Sequence, residues 1–130
     1  MQLTEHRPDQ QYFVHSLGAD AIRIVETRYA HSLILSPEHG VERWPVDSIG
    51  NLEVGHLRPI LEWRPDVVLL ATGRRQRFPS HEIQIELLRH NVGLEVMTLA
   101  AAARTFNVLA SEDRRVVAAM IWERAGTSHP

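Results

Sequence analysis

The stretch Pro65–Ser80 restricts this chain more than any other. An unbroken apolar run, Val67-Val68-Leu69-Leu70-Ala71, is followed by Thr72-Gly73, by three arginines in four positions (Arg74, Arg75, Arg77) and by Phe78-Pro79-Ser80. A short run with no polar alternate fits a strand buried on both faces, the habit of parallel strands inside α/β domains. Glycine then supplies a turn. Ser80 reads as a helix N-cap, and Glu82 falls in the first turn, where the helix dipole favours a negative charge. The order predicted is strand, basic loop, helix. In open α/β sheets ligands gather beyond the carboxyl ends of the strands, so this junction is the first place to look for function.

The flanking sequence extends the pattern. Ile83, Ile85, Leu87 and Leu88 mark a broad inner face for the helix, Asn91 and Gly93 stop it, and Leu94–Met97 is the next strand. Residues 67–97 therefore predict a βαβ unit, which is almost always right-handed. Leu99, Ala102, Ala103, Phe106 and Ala110 then form a helical stripe whose small residues allow close packing on a sheet. Val116–Trp122 reads as another strand buried on both faces. Upstream, Tyr12–Leu17, Ala21–Val25, Ser32–Ser36 and Val41–Trp44 read as strands, with Glu26–His31 as a hairpin connection and Ser36–Gly40 as a turn. A helix is expected from about Gly55, on Leu57, Ile60 and Leu61, with Pro59 tolerated only in its first turn and Pro65 closing it. The expectation is one α/β domain over residues 1–130, with flexible ends at about 1–11 and 123–130.

Composition removes whole classes of chemistry. There is no cysteine, which excludes thiol catalysis, thiolate metal sites and disulfides. All 14 basic residues are arginine, so Schiff-base chemistry and a Walker lysine are unavailable as well. The eight histidines (His6, His15, His31, His39, His56, His81, His90 and His129) contain no pair at His-x-His or His-x-x-x-His spacing, and no metal site is expected. No cofactor is implied. A Gly-x-Ser-x-Gly elbow is missing, and a Ser80–His81 partnership fails because adjacent helical residues point to different faces. Asp66 precedes the buried strand and belongs at the end opposite the basic loop, out of reach for acid–base work there. The net charge of −2 argues against nucleic acid as a partner. With no apolar leader and no run long enough to span a bilayer, the expectation is a cytoplasmic protein that does not insert into membranes. Trp44, Trp63 and Trp122 are read as core or core-margin packing.

What remains is the loop. Glycine permits close backbone approach, arginine forks suit carboxylate or phosphate, and a helix start adds free N–H groups. Its spacing matches neither a P-loop nor a dinucleotide fingerprint. As a solvated loop its arginines would simply pair with nearby acids, and Thr72, Ser80, Thr98 and Thr105 each have ordinary capping or carbonyl-bonding roles available.

Four segments together resemble the small MTH-938-like α/β family. They are Pro65–Gly73 with Arg77-Phe78-Pro79-Ser80, Val92–Met97, Ala102–Leu109 with its Thr105-Phe106-Asn107, and Glu112–Ala119. That family has members in archaea, bacteria and mitochondria, among them a complex I (NADH dehydrogenase) assembly factor and an adipogenesis-associated protein. The resemblance implies a three-layer α/β fold around a central mixed sheet with flanking helices, and no established reaction. It carries Thr72, Gly73, Arg77, Phe78, Pro79, Ser80, Thr105 and Asn107 over as a shared pocket. This chain departs from the usual pattern where Thr98-Leu99 replaces Asp-Thr and Ala103 replaces a cysteine. The leading expectation is a non-enzymatic interaction or assembly factor for an unidentified protein partner, with the oligomeric state open. The alternative is a small-anion-binding protein or enzyme in which Arg74, Arg75 or Arg77 holds an anion near Thr72, Gly73, Phe78, Ser80, Thr105 and Asn107.

Overall fold

The computed structural model describes residues 14–17, 21–24 and 27–123. Strands β1 (Val14–Leu17), β2 (Ile22–Ile24) and β3 (Thr27–Tyr29) form a small antiparallel sheet in sequence order. The main sheet contains β4 (Leu33–Ser36), β5 (Gly40–Arg43), β6 (Val67–Ala71), β7 (Gly93–Met97) and β8 (Val116–Met120), in the order β5-β4-β8-β6-β7. It is mixed. β6 runs parallel to both β7 and β8, while β4 is antiparallel to β8 and to β5. Helices α1 (Arg58–Glu62), α2 (His81–Arg89) and α3 (Leu99–Ser111) complete the fold.

Strand alternation sorts the core into two layers. Leu33, Leu35, Leu69, Ala71, Ala118 and Met120 face a cluster built with α3 and with Val14, Ile22 and Ile24 of the small sheet. Ile34, Val68, Leu70, Val117 and Ala119 face the other way, onto Ile60 of α1, Ile83 and Leu87 of α2, and Trp44. β6 and β8 are buried at every position, as strands between two covered faces must be. The three-layer α/β fold with its parallel β6-α2-β7 unit is therefore as expected.

Four local expectations are corrected. Thr27–Tyr29, taken as connection, is a strand paired to β2, where Thr and Tyr suit a pleated half-exposed edge. The helix expected from Gly55 is a 3₁₀ turn, Val54–Leu57, that continues into five residues of α-helix with Pro59 in the first turn. The broad inner face of α2 is narrow: Ile83 and Leu87 are buried, but Ile85 and Leu88 are 43% and 74% exposed. Ile85 lies two residues from Ile83, so at 100° per residue it turns away from the sheet. Ser80 holds the N-cap position of α2 without a side-chain bond. The Ile83 N–H that its hydroxyl would serve donates instead to the Ser80 carbonyl at 3.1 Å. By contrast, all five residues of the predicted α3 stripe are buried. Tyr12, Phe13, residues 1–11 and residues 124–130 lie outside the described residues.

Candidate functional site

The Thr72–Ser80 junction is built around one buried hydroxyl. Thr72 is 2% exposed; its Oγ1 donates to the Arg75 carbonyl at 2.6 Å and accepts the Arg77 N–H at 2.9 Å. Its own N–H donates to the Met97 carbonyl at 3.0 Å, tying the start of the loop to the end of β7. Gly73 has φ +92°, a conformation that favours glycine, and its carbonyl receives the Leu99 N–H at 2.8 Å, which joins the loop to the first turn of α3. The Glu123 side chain lies over Gly73: a Cβ there would stand 3.0 Å from the Glu123 carboxylate. The backbone is thus closed on itself, and the bulky side chains go outward. Arg74, Arg75 and Arg77 are exposed, Phe78 is 69% exposed, and the following Pro79 is buried.

The other predicted residues separate from this loop. Asn107 lies eight residues beyond the start of α3, about 12 Å along its axis at 1.5 Å per residue. Its side-chain amide accepts the Val14 N–H and donates to the Val14 carbonyl, both at 2.9 Å, fastening the small sheet to α3. Thr105 is partly buried on the same helix, about 9 Å from its start. Thr98 caps α3 by accepting the Ala101 N–H at 3.2 Å. Ala103 faces the core cluster. Among the described residues no three metal-ligating side chains cluster, and no helix is long and apolar enough to cross a membrane.

A second place, given no role from the sequence, lies at the opposite end of the sheet. There the β4–β8 ladder stops after Leu35↔Ala118, although β8 continues along β6 down to Val67↔Val116. A cavity of about 300 Å³ opens where the strands part, bordered by the β4–β5 turn with Glu38, by Trp63 and Pro65, and by Ala110 and Asp113–Val117. Ser36, 4% exposed, accepts the His39 N–H at 2.8 Å, and its Oγ lies 3.2 Å from His39 Nδ1. The His39 ring stacks on Trp63, with centroids 4.8 Å apart and planes within 5°. Arg114 and Arg115 also line the cavity, the Arg115 guanidinium lying 3.8 Å from the Asp66 carboxylate. The turn itself was legible from Pro37 and Gly40, the latter at φ +80°; the meeting of His39 with Trp63 and Arg114 was not.

Residues 14–121 match the family described as Protein of unknown function (DUF498/DUF598). The chain is similar to a 13 kDa major membrane protein of Francisella tularensis, with 33% identity over 68% of this chain and 72% of that one. It is also similar to NADH dehydrogenase [ubiquinone] 1 alpha subcomplex assembly factor 3 of Danio rerio, with 32% identity over 78% of this chain and 58% of that longer protein. Among solved structures, a Xanthomonas campestris protein is 44% identical with a TM-score of 0.80, covering 100% of this chain and 97% of that one. A Bordetella pertussis protein described as an Mth938-like domain is 28% identical with a TM-score of 0.81, covering 99% and 98%. With most of its length matched and its sheet and helices superposing on that fold, the chain belongs to the DUF498/DUF598 family of Mth938-like α/β domains.

Proposed function

We propose that this chain is a non-enzymatic interaction protein of the complex-assembly type, which meets its partner through the Thr72–Ser80 loop. The observation that carries the reading is the closure of that loop. The space a glycine would leave for a small anion is covered by the Glu123 carboxylate, which repels one. Three guanidinium groups and the Phe78 ring instead face outward from a backbone held by Thr72. Aromatic and arginine side chains are the residue types that dominate protein–protein contacts, and the cations call for carboxylates on the partner. The 32% identity to an NADH dehydrogenase assembly factor supports a respiratory complex as the class of assembly.

A photoreactive phenylalanine analogue at position 78 should give a discrete adduct in native cells, absent when the analogue replaces exposed Glu112. A strain lacking the protein should accumulate NADH dehydrogenase subcomplexes on native gels, corrected by the wild-type chain and not by Phe78→Ser. No adduct specific to position 78 removes the surface from the proposal. A fully assembled complex in the deletion strain removes the respiratory class.

A further inference from the structure

The parallel strand β7 ends the main sheet, and no strand among the described residues pairs with its outer side. The direction of its backbone groups follows from the inner side. The Gly93 N–H donates to the Asp66 carbonyl and the Met97 carbonyl accepts from Thr72, so odd-numbered residues turn their polar groups toward β6. By strand alternation Leu94 and Val96 turn theirs outward. The Val96 carbonyl accordingly accepts the side-chain amide of exposed Gln76 at 2.7 Å. That side chain is the one partner these outward groups have among the described residues. Natural sheets guard their edges with charges, proline or a covering element. The opposite edge, β5, exposes Glu42 and Arg43, whereas β7 carries one charge, Glu95, among apolar residues.

Helix α2 packs on β7 and widens this edge. Its Glu86 and His90 share a hollow with Val54 and Arg58, which fixes the flank of α2 that faces the 3₁₀ turn and α1. Leu88 is two residues from Glu86, about 200° around the helix, so it occupies the other flank, above the outer side of β7. Gln84 shares that flank, and its side-chain amide donates to the Pro79 carbonyl at 3.3 Å, holding the end of the basic loop there. Leu88 is 74% exposed and Phe78 69%, so an apolar shelf borders the free strand edge. Arg74, Arg75 and Arg77 flank Gln76 at the carboxyl end of that edge, none of them in an ion pair among the described residues. We infer that a partner adds an extended acidic segment to β7 as a sixth strand of the main sheet. This rests on the loop being the partner's contact and names what the partner presents. Antiparallel pairing is the stabler form, so the acidic end of the segment is amino-terminal, against the arginines, and its alternate apolar residues lie along Leu88 and Phe78. A second copy of this chain fits poorly, because antiparallel pairing centred on β7 sets the two Glu95 carboxylates opposite each other.

Amide hydrogen exchange read by ¹⁵N NMR on the full chain tests this. The probes are the peptide Glu-Asp-Glu-Val-Thr-Val-Thr-Val and its counterpart with Lys-Arg-Lys at the same end. In the free protein the Leu94 and Val96 amides should exchange faster than those of Glu95 and Met97. The acidic peptide should bind saturably and slow exchange at Leu94 and Val96, the alternate-residue pattern of a paired strand. The basic peptide should not. Gln76→Ala, at an exposed position, frees the Val96 carbonyl and should tighten binding about threefold. Arg74→Gln/Arg75→Gln/Arg77→Gln should weaken it about tenfold. The added strand is overturned if the acidic peptide fails to bind, or binds without slowing Leu94 and Val96. Equal protection by the basic peptide overturns the acidic partner. Shifts confined to Arg74–Phe78 overturn the strand and leave the loop contact standing, whereas a missing adduct at position 78 in cells strikes the loop contact itself.

Discussion

The two ends of the main sheet differ in how their backbone is finished. At the carboxyl end of β6, Thr72 and Gly73 tie the loop to β7 and to α3, and the Glu123 side chain covers what glycine leaves open. At the other end, β4 departs from β8 while β8 still pairs with β6, and the gap remains as a cavity. The rule that ligands sit beyond the carboxyl ends of parallel strands assumes that helices diverge there and leave a crevice. Here α3 starts immediately against the loop, its Leu99 N–H bonded to the Gly73 carbonyl. The opening comes from the mixed character of the sheet: an antiparallel neighbour that ends early uncovers the start of a parallel strand.

Substitutions can break or sharpen this contrast. Thr72→Val should have the largest effect, destabilising by about 2–3 kcal/mol, because it leaves the Arg77 N–H and the Arg75 carbonyl without their shared partner at a buried position. Denaturant unfolding measures it. Gly73→Ala should cost about 1–2 kcal/mol from the positive φ, with the Glu123 side chain able to swing aside. Ser36→Ala should cost about 1 kcal/mol, since it removes one acceptor from a turn, and should shift the Trp63 indole resonance as the His39 ring loosens. Arg74→Gln/Arg75→Gln/Arg77→Gln should change stability by less than about 0.5 kcal/mol, because the three side chains are exposed. If Thr72→Val cost no more than Ser36→Ala, the contrast between a closed end and an open one would fail.

Legibility in the sequence followed the range of the interactions involved. The α3 stripe was readable because a single helix face decides it, and Leu99, Ala102, Ala103, Phe106 and Ala110 are all buried. The β6 run was readable because burial on both faces leaves no polar alternate. Ile85 and Leu88 misled because apolar identity was taken for inward direction, although a nine-residue helix on a sheet buries only a narrow stripe. Asn107 illustrates a different limit. A partly buried amide on a helix is compatible with a ligand pocket or with a backbone clamp, and the choice was made by Val14, 93 residues away.

The sequence by itself determined which segments could be buried strands, where the basic loop had to fall, and that thiol and lysine chemistry are absent. These follow from local properties: hydrophobic period, the φ that proline fixes and glycine permits, and the presence or absence of a functional group. Tertiary structure alone decided that the arginine loop is sealed beneath its side chains and that the opposite end is open. Both outcomes depend on contacts between distant segments: Glu123 on Gly73, His39 on Trp63, and β4 leaving β8 before β6 does. Local sequence patterns hold no record of such meetings, because strand register and side-chain placement across a sheet are set only when the whole core packs at once.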